Sequence, residues 1–74
     1  MSRTLKDLLP GEKAKVIKVL GNGAIRRRMM DMGIVPGVEL EMERYAPLGD
    51  PVEIKIKGYH LSLRKEEAES VVLE

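Results

Sequence analysis

Between Val38 and Arg64 apolar and polar residues alternate with a period of two, the mark of strands with one buried face. Val38, Leu40 and Met42 alternate with Glu39, Glu41 and Glu43, and Val52, Ile54 and Ile56 alternate with Glu53, Lys55 and Lys57. Pairing the two runs around the connection "YAPLGDP" sets Leu40 opposite Ile56 and Met42 opposite Ile54. It also sets Glu41 against Lys55 and Glu39 against Lys57, and leaves Glu43 facing Glu53. A second hairpin follows, with Gly58 first in a two-residue turn of type II′. That turn pairs Ile56 with Leu61 and Ile54 with Leu63, places His60 opposite Lys57 and brings Arg64 beside Glu53.

Upstream, "EKAKVIKVL" predicts a strand with Ala14 and Val16 on one face and Ile17 and Val19 on the other. The change of phase implies a bulge or burial on both faces. The stretch "GNGAIRRRMMDMG" predicts a helix that starts at Asn22 or Gly23 and is ended by Gly33. Ile25, Met29 and Met32 follow the i, i+4, i+7 spacing and form its buried stripe. Arg26, Arg27, Met30 and Asp31 then face outward, while Arg28 lies at the stripe's edge, set to snorkel or to anchor a loop carbonyl. Thr4 to Leu9 suggests one helical turn lidding the core, with a cap signal from Thr4 to Asp7. "KEEAES" suggests a turn or short helical segment, and "VVLE" a last strand. The expected fold class is mainly β: a small SH3-like barrel of about five strands, with one short α-helix after the first strand.

Size and charge narrow what such a barrel can do. With 74 residues the chain is expected to form a single domain, 1–74, too small for a deep enzymatic cleft. There is no Cys, which excludes disulfides, thiolate metal sites and cysteine nucleophiles. A net charge of +1 gives no electrostatic case for nucleic acid, and two tyrosines with no Phe or Trp give little stacking surface. The N-terminal stretch shows no signal-peptide pattern and no apolar run reaches bilayer length, so a cytoplasmic domain without direct membrane insertion is expected.

No catalytic constellation is visible: His60 has no partner nucleophile, and Ser2, Ser62 and Ser70 lack a nucleophile motif. "GNG" at 21–23 lacks the Lys-Ser/Thr of a phosphate-binding loop and reads as a strand-to-helix turn. Tyr45 and Tyr59 read as caps flanking turns, and Asp50 as a hydrogen-bonding partner of its own turn.

Four features stand out together: Leu5, Leu8 and Gly11; "IRRRMMDMGIVPG" at 25–37; "APLGDPVEIKIKG" at 46–58; and "LSLRKEEA" at 61–68. In combination they resemble the family of the small ferrous-iron-transport protein A, FeoA. The resemblance covers essentially the whole chain. It implies an SH3-like barrel in the cytoplasm, without enzymatic activity, that acts in ferrous iron uptake. The implied partner is the cytosolic part, with its GTP-binding domain, of a large membrane transporter of ferrous iron, which the protein would bind and modulate. The resemblance also implies kinship with the unit that ends metal-dependent repressors, but with the match beginning at residue 5 a repressor is not the expected reading.

Two surfaces carry the candidate contacts. The partner-binding candidates are Arg26, Arg27 and Met30 on the outer helix face, with Pro47, Leu48, Gly49 and Asp50 in the loop. An exposed Met between arginines suits an adaptable contact. The alternative function is a metal-responsive module that itself binds a divalent transition-metal ion. Ferrous iron accepts His and carboxylate ligands, and the weak candidates are Glu43, Glu53 and His60. No ligand cluster supports a resident ion, so no intrinsic cofactor is expected.

Overall fold

The computed structural model describes residues 3–74. Six strands and two short helices form in the order β1 (Arg3–Thr4), β2 (Lys13–Val19), α1 (Gly23–Asp31), β3 (Glu39–Tyr45), β4 (Val52–Ile56), β5 (Tyr59–Leu63), α2 (Lys65–Ala68) and β6 (Val71–Leu73). One antiparallel sheet runs β1-β6-β2-β3-β4-β5. The expected closed barrel of five strands is therefore corrected in two respects. The two-residue β1, paired Arg3 to Leu73 and Thr4 to Val72, makes a sixth strand, and the sheet stays open with β1 and β5 at its edges. A pair of residues is too short to show a period, which hid β1 in the sequence.

The sheet turns on β2. Its first half pairs with β3 (Ala14 to Leu40) and its second half with β6 (Val19 to Val71). Within the half paired to β6, between Val16 and Lys18, a bulge displaces Ile17. Side chains alternate faces, so one extra residue reverses the phase. Val19 consequently packs on the same core as Ala14 and Val16, while Ile17 is exposed, correcting their shared face.

The first hairpin has the expected pairs Leu40 to Ile56, Glu41 to Lys55 and Met42 to Ile54. The paired ladder ends at Leu40 and Ile56, and Lys57 lies in the turn that follows. Glu43 does not face Glu53. A bulge after Met42 sets Arg44 opposite Glu53, and the Arg44 Nε sits 3.0 Å from Glu53 Oε2. Arg64, expected beside Glu53, instead precedes α2 as its N-cap residue. The bulge has a second effect: it turns Tyr45 toward the core, where its hydroxyl meets the carbonyls of Lys6 (2.6 Å) and Leu8. Desolvation, then the nearby Asp7 and Glu12, hold the Tyr45 hydroxyl above the ordinary tyrosine pKa.

The second hairpin is slipped by two residues from expectation. Ile56 pairs with Tyr59, Ile54 with Leu61 and Val52 with Leu63. The turn residues are Lys57 and Gly58, both at positive φ (50° and 84°), as a type I′ turn requires and type II′ does not. His60 thus lies opposite Lys55 rather than Lys57.

The core is aliphatic, with Met29 and Met42 beside Leu5, Leu8, Ile34, Leu40, Ile54, Ile56, Leu63 and Leu73, all essentially buried. A 3₁₀ turn at Leu5–Asp7 supplies Leu5 and holds the expected cap, with the Thr4 N–H donating to Asp7 Oδ2 at 2.9 Å. Burying aliphatic side chains of this size stabilises by about 1.5–3 kcal/mol each.

A candidate partner-binding face

Helix α1 begins where Asn22 Oδ1 accepts the Ile25 N–H (2.9 Å), and Gly33 at φ +89° turns the chain away behind it. Of the predicted stripe Met29 is fully buried, and Ile25 and Met32 pack partly on the core. Arg26, Arg27 and Asp31 are exposed, and Met30 is 54% exposed, so the outer face stands as expected. Arg28 departs from expectation. Its Nε lies 3.3 Å from Glu67 Oε2, and Glu67 is buried to 4% exposure in α2. The other oxygen, Oε1, accepts the Arg64 N–H at 2.9 Å. A buried carboxylate needs partners for both oxygens, and this pair locks α1 to α2.

The loop at 46–51 is held at several points. Gly49 N–H donates to Ala46 O (2.7 Å) and Ala46 N–H to Pro51 O (2.9 Å). Gly49 adopts φ +82°, and the Asp50–Pro51 peptide is cis. Asp50 does not bond its own turn: Oδ1 accepts the N–H of Lys65, the first residue of α2, at 2.9 Å. Pro47 is exposed and Leu48 is 95% exposed at the tip. No hydrogen bond or ion pair among the described residues joins the loop directly to Arg26, Arg27 or Met30. Both surfaces instead grip α2, one through Asp50 and the other through Arg28.

Of the metal candidates, His60 Nδ1 and Glu43 Oε1 lie 2.5 Å apart, whereas Glu53 is held by Arg44. Among the described residues no three His, Asp or Glu side chains converge. The Glu43–His60 contact escaped sequence reasoning because both the bulge and the hairpin slip were needed to form it. The Glu67 cap on the Arg64 N–H was more legible, since a Glu at the third helical position is a helix-start signature, but the long-range Arg28–Glu67 pair was not.

A profile described as FeoA domain matches residues 3–74. The chain belongs to the FeoA domain family. This FeoA domain is 39% identical over 70 residues to a Porphyromonas gingivalis chain described as an Fe(2+) transport protein A/Fe(2+) transporter FeoB fusion protein. The match takes in 95% of this chain and 8% of the fusion protein, so the domain spans only a small part of that relative.

Among solved structures, an FeoA-like protein from Clostridium acetobutylicum is 42% identical with a TM-score of 0.90, covering 99% of this chain and 85% of that one. An FeoA from Stenotrophomonas maltophilia, complexed with zinc and described as a prokaryotic SH3 domain protein, is 33% identical with a TM-score of 0.84. That alignment covers 97% of this chain and 89% of the relative. A manganese-dependent transcriptional repressor shares the fold at 15% identity and a TM-score of 0.88, over 97% of this chain and 40% of its own. Among the described residues no helix is long and apolar enough to cross a membrane.

Proposed function

We propose that this FeoA domain is a non-enzymatic cytoplasmic accessory of ferrous iron uptake that binds and modulates the cytosolic, GTP-binding part of the membrane iron transporter. The observation that carries this is the fused relative, in which a 39% identical segment shares one chain with a transporter. Covalent joining supports functional association between the two. The proposed contact surface is Arg26, Arg27 and Met30 of α1 with Pro47, Leu48, Gly49 and Asp50 of the loop. The backbone under both surfaces is already anchored, so binding has to order side chains but not the chain that carries them.

The test is a binding titration between this domain and the transporter's cytosolic part. Binding is expected, and it is expected to weaken at least about tenfold when Arg26 and Arg27 become Glu and Leu48 becomes Asp. Unchanged affinity in that variant would remove the surface assignment.

A second reading, a domain that itself binds a divalent metal, draws on the Glu43–His60 contact and on the zinc-complexed relative. Two donors converge here, fewer than the three or four of an ordinary protein metal site. Anaerobic calorimetry with ferrous iron is expected to show no binding tighter than about micromolar. One-to-one binding lost in His60→Ala or Glu43→Gln would reverse the order of the two readings.

A further inference from the structure

The exposed arginines differ in their company. Arg3 faces Glu12, Arg28 faces Glu67 and Arg44 faces Glu53. Arg26 and Arg27, like Arg64, have no carboxylate within ion-pair reach among the described residues, and they alone lie side by side on one helix face. Their helix is also shaped in a particular way. Gly23, Arg27 and Asp31 form one i, i+4 row along α1, and shallow grooves run on both sides of it. One groove lies between this row and Ala24, Arg28 and Met32, and the other between it and Arg26 and Met30. A ridge with two flanking grooves is the surface that a second helix packs into, with the axes crossing at about −50°.

We infer that this face of α1 is the docking site for an acidic amphipathic helix of a protein partner, whose carboxylates meet Arg26 and Arg27 and whose apolar residues cover Met30. The inference rests on the accessory reading above, and it places the electrostatic anchor on α1 rather than on the Leu48 loop. Charge complementarity selects the occupant. An anionic bilayer is a poorer match, because lipid-binding patches gather about four to eight basic residues. Here two arginines share the face with Asp31, which repels headgroups but can accept a Lys from a folded partner. A nine-residue helix gives a small contact, so the complex is expected to be transient and sensitive to salt.

The test follows the backbone amide resonances of the ¹⁵N-labelled domain during titration with the transporter's cytosolic part. A parallel titration uses vesicles containing phosphatidylglycerol. Shifts centred on residues 23–32, an affinity at least about tenfold lower for R26E/R27E, and weakening with added salt support the inference. The charge-reversed protein is expected to keep its thermal midpoint, since neither side chain is packed. Binding with shifts confined to 46–51, or indifferent to R26E/R27E, overturns this inference and leaves the accessory reading standing. Shifts of residues 23–32 with vesicles but not with the transporter part overturn it in favour of a lipid surface. No binding to either probe removes both readings.

Discussion

Met29 and Met30 are adjacent, carry the same side chain and meet opposite surroundings. Met29 is fully buried against the sheet, while Met30 stands between two unpaired arginines in solvent. The helical step of about 100° alone separates them. The inner face of α1 therefore serves stability, and its outer face is free for the proposed contact. Tyr45 and Arg44 repeat the contrast on β3, where the bulge sends one toward the core and leaves the other outside. Composition by itself says little about role; position relative to the sheet decides it.

The largest separation is expected for the methionines themselves. Met29→Ala should cost about 2–5 kcal/mol in chemical unfolding, through lost burial and the cavity left behind. Met30→Ala should stay within about 0.5 kcal/mol of the parent. Equal losses for the two would mean that α1 does not seat its inner face as described. Next in size is the clasp between the helices. Glu67→Ala strands the Arg64 amide and frees Arg28, for an expected loss of about 1–3 kcal/mol.

The smallest separation is expected between Tyr45 and Arg44. Tyr45→Phe removes a hydrogen bond to the 3₁₀ turn and should cost about 0.5–1.5 kcal/mol, against about 0–1 for Arg44→Ala in its solvent-facing ion pair. The pH dependence has a definite sign. The folded state raises the Tyr45 pKa, so its contribution is complete below the unfolded value of about 10 and fades as pH rises through the folded one. Unfolding midpoints measured between pH 8 and 11 should fall on the alkaline side in the parent, and less steeply in Tyr45→Phe.

Much of this arrangement was legible in the sequence, and the failures share one physical origin. The β3–β4 register follows from alternation because a one-residue error would expose the whole apolar face. A two-residue error leaves that face intact, so Ile56 opposite Leu61 and Ile56 opposite Tyr59 satisfy the pattern equally. Only the turn discriminates, and it uses Lys57 at positive φ, a conformation its side chain does not advertise. The bulge at Glu43 was equally silent, because three alternating glutamates look like one unbroken strand. The candidate face divides in the same manner. Arg26, Arg27 and Met30 could be placed by local helical spacing. The attachments of Asp50 to α2 and of Arg28 to Glu67 depend on contacts distant in sequence, which no local period encodes.

Residue 3 lies opposite residue 73 across the β1–β6 pair, and Arg3 also donates to the carbonyl of Glu74 (3.1 Å). The backbone thus comes in and goes out at one corner, along strands that run antiparallel. A force that drew these two points apart would open the pair one bond after another rather than shear the bonds together. In a tethered setting the domain would yield first by peeling β1 from β6, while the β3–β4–β5 meander and its register stayed outside the line of load.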